Sequence, residues 1–231
     1  MITFKDYKQR FIAAQAPKER ISFQNFWQMI LENKVGVVVM ITALTEKGRK
    51  KADQYWPDGE SEVLNIGAGI TLEHKSSSYQ GTFYHRSVHS GKTFWEKLNI
   101  LLRVITVKRP NKPPVEVSQL QTLKWADLTA PDDTKILRDL VQKASDLNPG
   151  KEPIVVHCSA GVGRTGTFIA VYKLLGDYHD QNKHKISPYS TVMEMRRCRM
   201  KTVQKKEQYA YIFKCLRDEV KFEEGDYYKS L

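Results

Sequence analysis

The sequence predicts an α/β fold: a single domain with a twisted mixed β-sheet flanked by helices, and a cysteine loop between a central strand and a helix. Three observations carry this. Two uninterrupted β-branched runs, Val35-Gly-Val-Val-Val-Met-Ile-Thr42 and Pro153-Ile-Val-Val156, lack polar alternation, as strands covered on both faces do. Strand-like composition dominates residues 82–125, and helical spacing dominates from residue 134 onward. No internal repeat or low-complexity linker divides the 231 residues, which suffice for one large core.

In chain order, residues 24–33 read as a short helix with Phe26, Trp27, Ile30 and Leu31 on its buried side. The run at 35–42 is the first core strand. Segments 82–89, 100–108 and 115–125 have strand composition. The serine triplet Ser76-Ser77-Ser78 and the segment Arg109-Pro-Asn-Lys-Pro-Pro114 read as loops. Residues 134–147 place Ile136, Leu137, Leu140, Val141 and Ala144 at helical spacing, and Pro149-Gly150 breaks the chain before the strand at 153–156. Residues 165–178 form the next helix. Ser187-Pro188 opens another, with serine as N-cap and proline in the first turn. A last helix covers about residues 205–220.

Composition narrows the function. The apolar runs at 35–44 and 98–107 are too short to span a bilayer, and the first residues lack the apolar stretch of a secretory signal. Cys158, Cys198 and Cys215 are too scattered for a disulfide framework or a paired metal motif, so a reducing, cytoplasmic setting is expected. The formal net charge of +11 suits anionic partners, or it is simply a solvated basic surface. No finger or RNA-binding signature supports nucleic acid. Lys47-Gly-Arg-Lys-Lys51 reads as a solvated turn between strands in preference to a localisation tag.

The chemistry concentrates in Ile154-Val-Val-His-Cys-Ser-Ala-Gly-Val-Gly-Arg-Thr-Gly-Thr167. A buried strand delivers Cys158 to a tight loop, which enters a helix at Arg164-Thr165. Ser159, Ala160, Gly161, Val162 and Gly163 form the loop, and the small residues among them let its N–H groups converge on one anion at a helix N-terminus. The same field stabilises a thiolate, which makes Cys158 a nucleophile. Arg164 can fold back and grip two phosphate oxygens with its planar fork. Thr165 can set a hydroxyl beside the sulfur. A packed cysteine before a chance arginine is the plain alternative; a nucleotide-binding loop lacks its Gly-Lys-Ser/Thr ending.

The complete string resembles the signature of the tyrosine-specific protein phosphatases, and similarity runs along nearly the whole chain. Ile12-Ala-Ala-Gln-Ala-Pro17 with Phe26-Trp27 resembles the family's lead into its first core strand. Thr45-Glu-Lys-Gly48 with Gln54-Tyr-Trp-Pro57 is similar to the loop beside the active site. The resemblance implies that Glu46 pairs with Arg164 and that Lys51 reaches the acid-bearing loop; a surface ion pair is the alternative for both. Trp125-Ala126-Asp127 resembles the mobile Trp-Pro-Asp loop, with Asp127 as general acid and Trp125 as hinge. Alanine stands at 126 in place of proline, which alters the restraint on that loop. Met200-Lys-Thr-Val-Gln204-Lys-Lys-Glu-Gln208-Tyr209 resembles the glutamine loop, where Gln204 orients the attacking water and Gln208 contacts the phosphate region. Arg196, Arg197 and Arg199 are expected to anchor the adjoining helix end.

The implied reaction is hydrolysis of phosphotyrosine in proteins through a phosphocysteine intermediate, with no cofactor and no metal. The implied partners are tyrosine-phosphorylated proteins, with no membrane insertion and a monomeric state. A phosphotyrosine-binding pseudophosphatase is the alternative. The family's upstream aromatic, which stacks on the phosphotyrosine ring, has no counterpart here; Tyr7 stands too near the Gln-Ala-Pro segment. The expected unit is one catalytic domain over residues 1–231, short at its N-terminus.

Overall fold

A computed structural model describes residues 1–57, 59, 62–80, 85–89, 92–96, 100–123, 125, 129–131, 133–180 and 186–229. The elements in order are β1 (Ile2–Phe4), β2 (Tyr7–Ala14), α1 (Arg20–Glu32), β3 (Val37–Met40), β4 (Thr45–Glu46) and β5 (Arg49–Lys50). Next come β6 (Val63–Gly67), β7 (Ile70–Gln80), β8 (His85–His89), β9 (Lys92–Glu96), β10 (Ile100–Arg109) and β11 (Lys112–Thr122). The second half holds α2 (Lys135–Asp146), β12 (Ile154–His157), α3 (Gly163–His179), α4 (Pro188–Cys198) and α5 (Lys206–Lys229).

Among the described residues, eight strands form one mixed sheet in the order β1-β2-β12-β3-β11-β10-β7-β6. The four central strands β2, β12, β3 and β11 are parallel, and antiparallel strands extend the sheet on both sides. Strands β12 and β3 are buried at every residue, as their unbroken apolar runs require. Alternation sorts their side chains between two cores. Val37, Val39, Ile154, Val156 and Cys158 face a cluster with Phe168, Leu174 and Ile212 from α3 and α5. Val38, Met40 and Val155 face a second cluster with Phe26, Trp27, Ile30 and Tyr55 on the α1 side. Helix α3 is buried almost all round, because it runs between the sheet and the other C-terminal helices.

Helix α4 starts as its sequence indicates: Ser187 Oγ accepts the Ser190 N–H at 3.2 Å, and a proline follows the cap. The turn at Lys47-Gly48 joins β4 to β5 with both residues at positive φ. Two expectations are corrected. The triplet Ser76-Ser77-Ser78 is strand, paired with Val104, Arg103 and Leu102 of β10; sheet pairing overrides the loop composition while the serine side chains stay exposed. The segment 109–114 is a tight hairpin at Pro110-Asn111, with Lys112, Pro113 and Pro114 opening β11 at an irregular, exposed end. Residues 82–84 of the expected strand at 82–89 lie outside the described residues.

Candidate active site

The loop after β12 is held from behind by its carbonyls. Ser159 O accepts the Ala16 N–H at 3.0 Å, and Val162 O accepts those of Gly166 at 3.2 Å and Val203 at 3.1 Å. Arg199 donates to Gly161 O at 2.8 Å and to Ala160 O at 3.2 Å. The C=O and N–H of one peptide unit point opposite ways. Outward carbonyls from Ser159 to Val162 therefore turn the N–H groups of Ala160, Gly161, Val162 and Gly163 toward the concave side, where they form an anion nest. Arg199 adds positive charge to the same dipoles.

The glycine at 161 is a steric requirement. Its φ is +68°, and a Cβ there would overlap the Ala14 carbonyl oxygen on β2. Gly166, one turn into α3, likewise lets Thr202 and Val203 of the glutamine loop pack on the helix backbone. Cys158 is 4% exposed, at the bottom of the loop, and Ser159 Oγ donates to the Lys51 carbonyl at 3.0 Å.

Among the described residues Arg164 is the most deeply placed charge, 1% exposed, although it sits in the first turn of a helix. Its Nη1 donates to Glu46 Oε1 and to the Trp125 carbonyl, both at 2.6 Å, and its Nη2 lies 3.4 Å from Thr42 Oγ1. Burial alone would raise the Glu46 carboxyl, but hydrogen bonds from Arg164 and Thr42 hold it below the usual carboxylate range. The expected pairing of Glu46 with Arg164 is present. Thr165 is fully buried, and its hydroxyl finds no partner among the described residues. Trp125 packs on Tyr211 at 5.5 Å between ring centres and donates from its indole N–H to Thr129 O at 2.7 Å. Asp127 and Ala126 lie outside the described residues.

The glutamine loop meets the phosphate loop from the other side. Gln208 is 1% exposed; its Oε1 accepts the N–H groups of Gln204 at 3.1 Å and Lys205 at 3.2 Å. Its Nε2 faces Gly163, and the exposed Gln204 has its Oε1 on the same glycine. Val203 holds a positive φ of 58°, uncommon for a β-branched residue. Arg196 steadies this backbone, donating to Thr202 O and Val203 O at 2.9 Å each. Arg196 and Arg199 thus hold two loops, a role that reaches beyond the helix end expected for them. A shallow pocket of about 290 Å³ beside the loop is lined by Tyr189, Met193, Arg196, Gln204 and Lys205. A larger cleft, about 760 Å³, lies between β2, α2, α3 and α5 and contains none of the phosphate-loop residues.

Behind Cys158, His157 is fully buried, with Nδ1 3.2 Å from the Cys158 carbonyl and Nε2 2.6 Å from the Tyr55 hydroxyl. Desolvation lowers its pKa to about 4, so the ring is neutral. Sequence reasoning did not single out Tyr55, Gln119, Gln121 or Arg103. The local signal for the two glutamines is their alternation about Leu120, which puts both on one face of a buried strand end. Tyr7 packs against Gly176, well along α3 from the loop.

The family model for "Protein-tyrosine phosphatase" matches residues 1–218. Tyrosine-protein phosphatase 2 of Schizosaccharomyces pombe is 34% identical over 219 residues, covering 89% of this chain and 28% of that protein. Human receptor-type tyrosine-protein phosphatase eta is 31% identical, over 93% of this chain and 15% of that protein. The chain thus spans under a third of the length of these curated relatives. Among solved structures, the Trypanosoma cruzi protein tyrosine phosphatase TcPTP1 superposes with a TM-score of 0.82 at 31% identity, covering 95% of this chain and 71% of that one. The catalytic domain of human protein tyrosine phosphatase non-receptor type 18 gives 0.76 at 29% identity, covering 88% and 67%.

Proposed function

The chain belongs to the protein-tyrosine phosphatase family, and from that premise we propose that residues 1–231 act as one catalytic unit that hydrolyses phosphotyrosine in proteins. The observation that carries the reading is the Arg164 side chain, folded back from the first turn of α3 onto Glu46 and the Trp125 carbonyl, beside a loop whose amides converge. A phosphate seated there meets a preformed set of donors that need no reorganisation as charge develops. Structures of the type 18 phosphatase in complex with HER2 phosphopeptides, at 27% identity, support a phosphopeptide substrate class.

In the first step the Cys158 thiolate attacks phosphorus in line, forming the S–P bond as the tyrosyl P–O bond breaks. Asp127 delivers its proton to the leaving oxygen. Arg164 and the loop N–H groups hold the equatorial oxygens. In the second step a water oriented by Gln204 attacks the phosphocysteine and gives its proton to Asp127. Inorganic phosphate leaves, and the Thr165 hydroxyl stabilises the departing thiolate. Lys51 and Gln208 position the loops on either side, and Trp125 serves as the hinge of the acid loop. No described helix is long and apolar enough to cross a membrane. The scattered Cys158, Cys198 and Cys215 fit a reducing compartment, and on that ground we propose a cytoplasmic unit.

The test is phosphate release from a phosphotyrosine peptide, with a phosphoserine peptide and Cys158→Ser alongside. Release from phosphotyrosine that disappears in the variant supports the reading. Tight retention of the peptide without release refutes turnover and leaves a binding module.

A further inference from the structure

Arg103 of β10 lies opposite Gln119 of β11 in the sheet register, with its guanidinium 4.5 Å over the Trp56 ring. One nitrogen, Nη1, donates to Gln119 Oε1 at 2.9 Å and to Gln121 Oε1 at 2.8 Å. A guanidinium can only donate, so each amide must turn its oxygen to Arg103 and its NH₂ away. Two chains of hydrogen bonds leave from there.

In the first, Gln119 Nε2 donates to the Tyr55 hydroxyl at 2.8 Å. The Tyr55 proton then has two acceptors in reach, Met40 Sδ at 4.0 Å and His157 Nε2 at 2.6 Å, and the shorter contact to the stronger acceptor takes it. Nε2 is then an acceptor, and the ring proton sits on Nδ1, facing the Cys158 carbonyl at 3.2 Å. In the second chain, Gln121 Nε2 donates to the Thr42 carbonyl at 3.0 Å. The Thr42 hydroxyl reaches Glu46 Oε1 at 2.8 Å and stands 3.4 Å from Arg164 Nη2. Gln119, Gln121, Tyr55 and His157 are each 3% exposed or less, which leaves water little chance to substitute for a missing partner.

We propose that Arg103 is a positioning residue for both reactive groups: its double donation fixes the amide orientation of Gln119 and Gln121, which sets the proton direction of the chain ending on the Cys158 peptide and anchors the Thr42 carbonyl, on the residue whose hydroxyl meets Glu46 and Arg164. The effect on turnover rests on the phosphatase reading; the proton arrangement does not. Reversing the first chain would put the His157 proton on Nε2 and leave an Nδ1 lone pair facing the Cys158 carbonyl oxygen. Two acceptors 3.2 Å apart repel, and the Cys158 peptide, with the sulfur it carries, must move. Neutral histidine in water favours the opposite tautomer, so the Nδ1–H form marks the network.

The test is the ¹⁵N spectrum of the histidine rings in the whole chain, with His157→Gln used to assign the signal. The expected result at neutral pH is a protonated Nδ1 and a bare Nε2; the reverse pattern overturns the proposal without any variant. Arg103→Met removes the donor. Gln119→Glu keeps the side-chain shape but accepts from Tyr55, reversing the chain. Each is expected to move the ring proton to Nε2 and to slow iodoacetate alkylation at Cys158, read by mass spectrometry, by about tenfold, the worth of one good hydrogen bond. Peptide kcat should fall by a similar factor with KM within about twofold, because Arg103 touches no substrate. Retention of Nδ1–H in both variants, or a moved proton with unchanged alkylation, overturns it. Correct spectra and alkylation in a chain that hydrolyses no phosphopeptide would instead refute the phosphatase reading alone.

Discussion

Replacing Glu46 by glutamine asks how much of the folded state depends on neutralising one buried cation. Arg164 is 1% exposed and Glu46 14%, and their contact at 2.6 Å is a charge-assisted hydrogen bond. Removing one partner of a fully buried pair costs about 3–5 kcal/mol, because the other charge stays desolvated. Glu46 keeps some contact with water, and the Trp125 carbonyl still accepts from Arg164. Both reduce the expected loss in Glu46→Gln to about 2 kcal/mol, or a fall in Tm of roughly 4–8 °C for a domain of this size. The assay is thermal unfolding at neutral pH, with Arg164→Met and the double variant completing a cycle. The double variant should be no less stable than Glu46→Gln, since the uncompensated charge is then gone. The pH dependence has a definite sign. The Glu46 carboxyl is held low in the folded state, so its stabilisation is present above the ordinary carboxylate pKa and lost as pH falls through the lowered one. The gap between wild type and Glu46→Gln should therefore close in acid. A Tm within about 1 °C of wild type, or strict additivity in the cycle, would refute the claim that Glu46 neutralises Arg164.

Gly161→Ala combines positive φ with overlap on the Ala14 carbonyl, and should lower kcat/KM on a phosphotyrosine peptide by more than about a hundredfold. The two glutamines should separate. Gln204→Ala, at an exposed side chain, is expected to leave stability within about 0.5 kcal/mol while phosphoenzyme accumulates in a burst. Gln208→Ala orphans the Gln204 and Lys205 amides and should cost about 1–2 kcal/mol in urea unfolding. His157, with its pKa lowered to about 4, binds a proton more readily unfolded than folded. Stability should thus fall as pH drops from about 6.5 toward 4, by up to about 3 kcal/mol, and His157→Gln should flatten that slope in urea titrations across the range.

The strands β3 and β12 were legible because a strand buried on both faces needs apolar side chains at every position, which leaves an unbroken run. The capped start of α4 at Ser187 was legible because its bond closes within three residues. Strand β7 was not, since Ser76, Ser77 and Ser78 have loop composition and become strand only by pairing with β10. The active-site loop was legible as chemistry for the same local reason: Cys158, the small residues and Arg164 lie within seven consecutive positions. The partnership of Glu46 with Arg164 spans 118 positions, and only likeness to a family suggested it.

Local sequence determined the anion loop, the helix that carries its arginine and the central strands, because backbone dihedrals and side-chain periodicity act over a few residues. Tertiary structure alone decided which side chains stand behind that loop. Arg199 backing the carbonyls and Arg103 joined through two glutamines to Tyr55 and Thr42 each depend on elements far apart in the chain. A hydrogen bond is specific only when its partners are already brought within about 3 Å, and it is the packing of the sheet against α1, α3, α4 and α5 that does so.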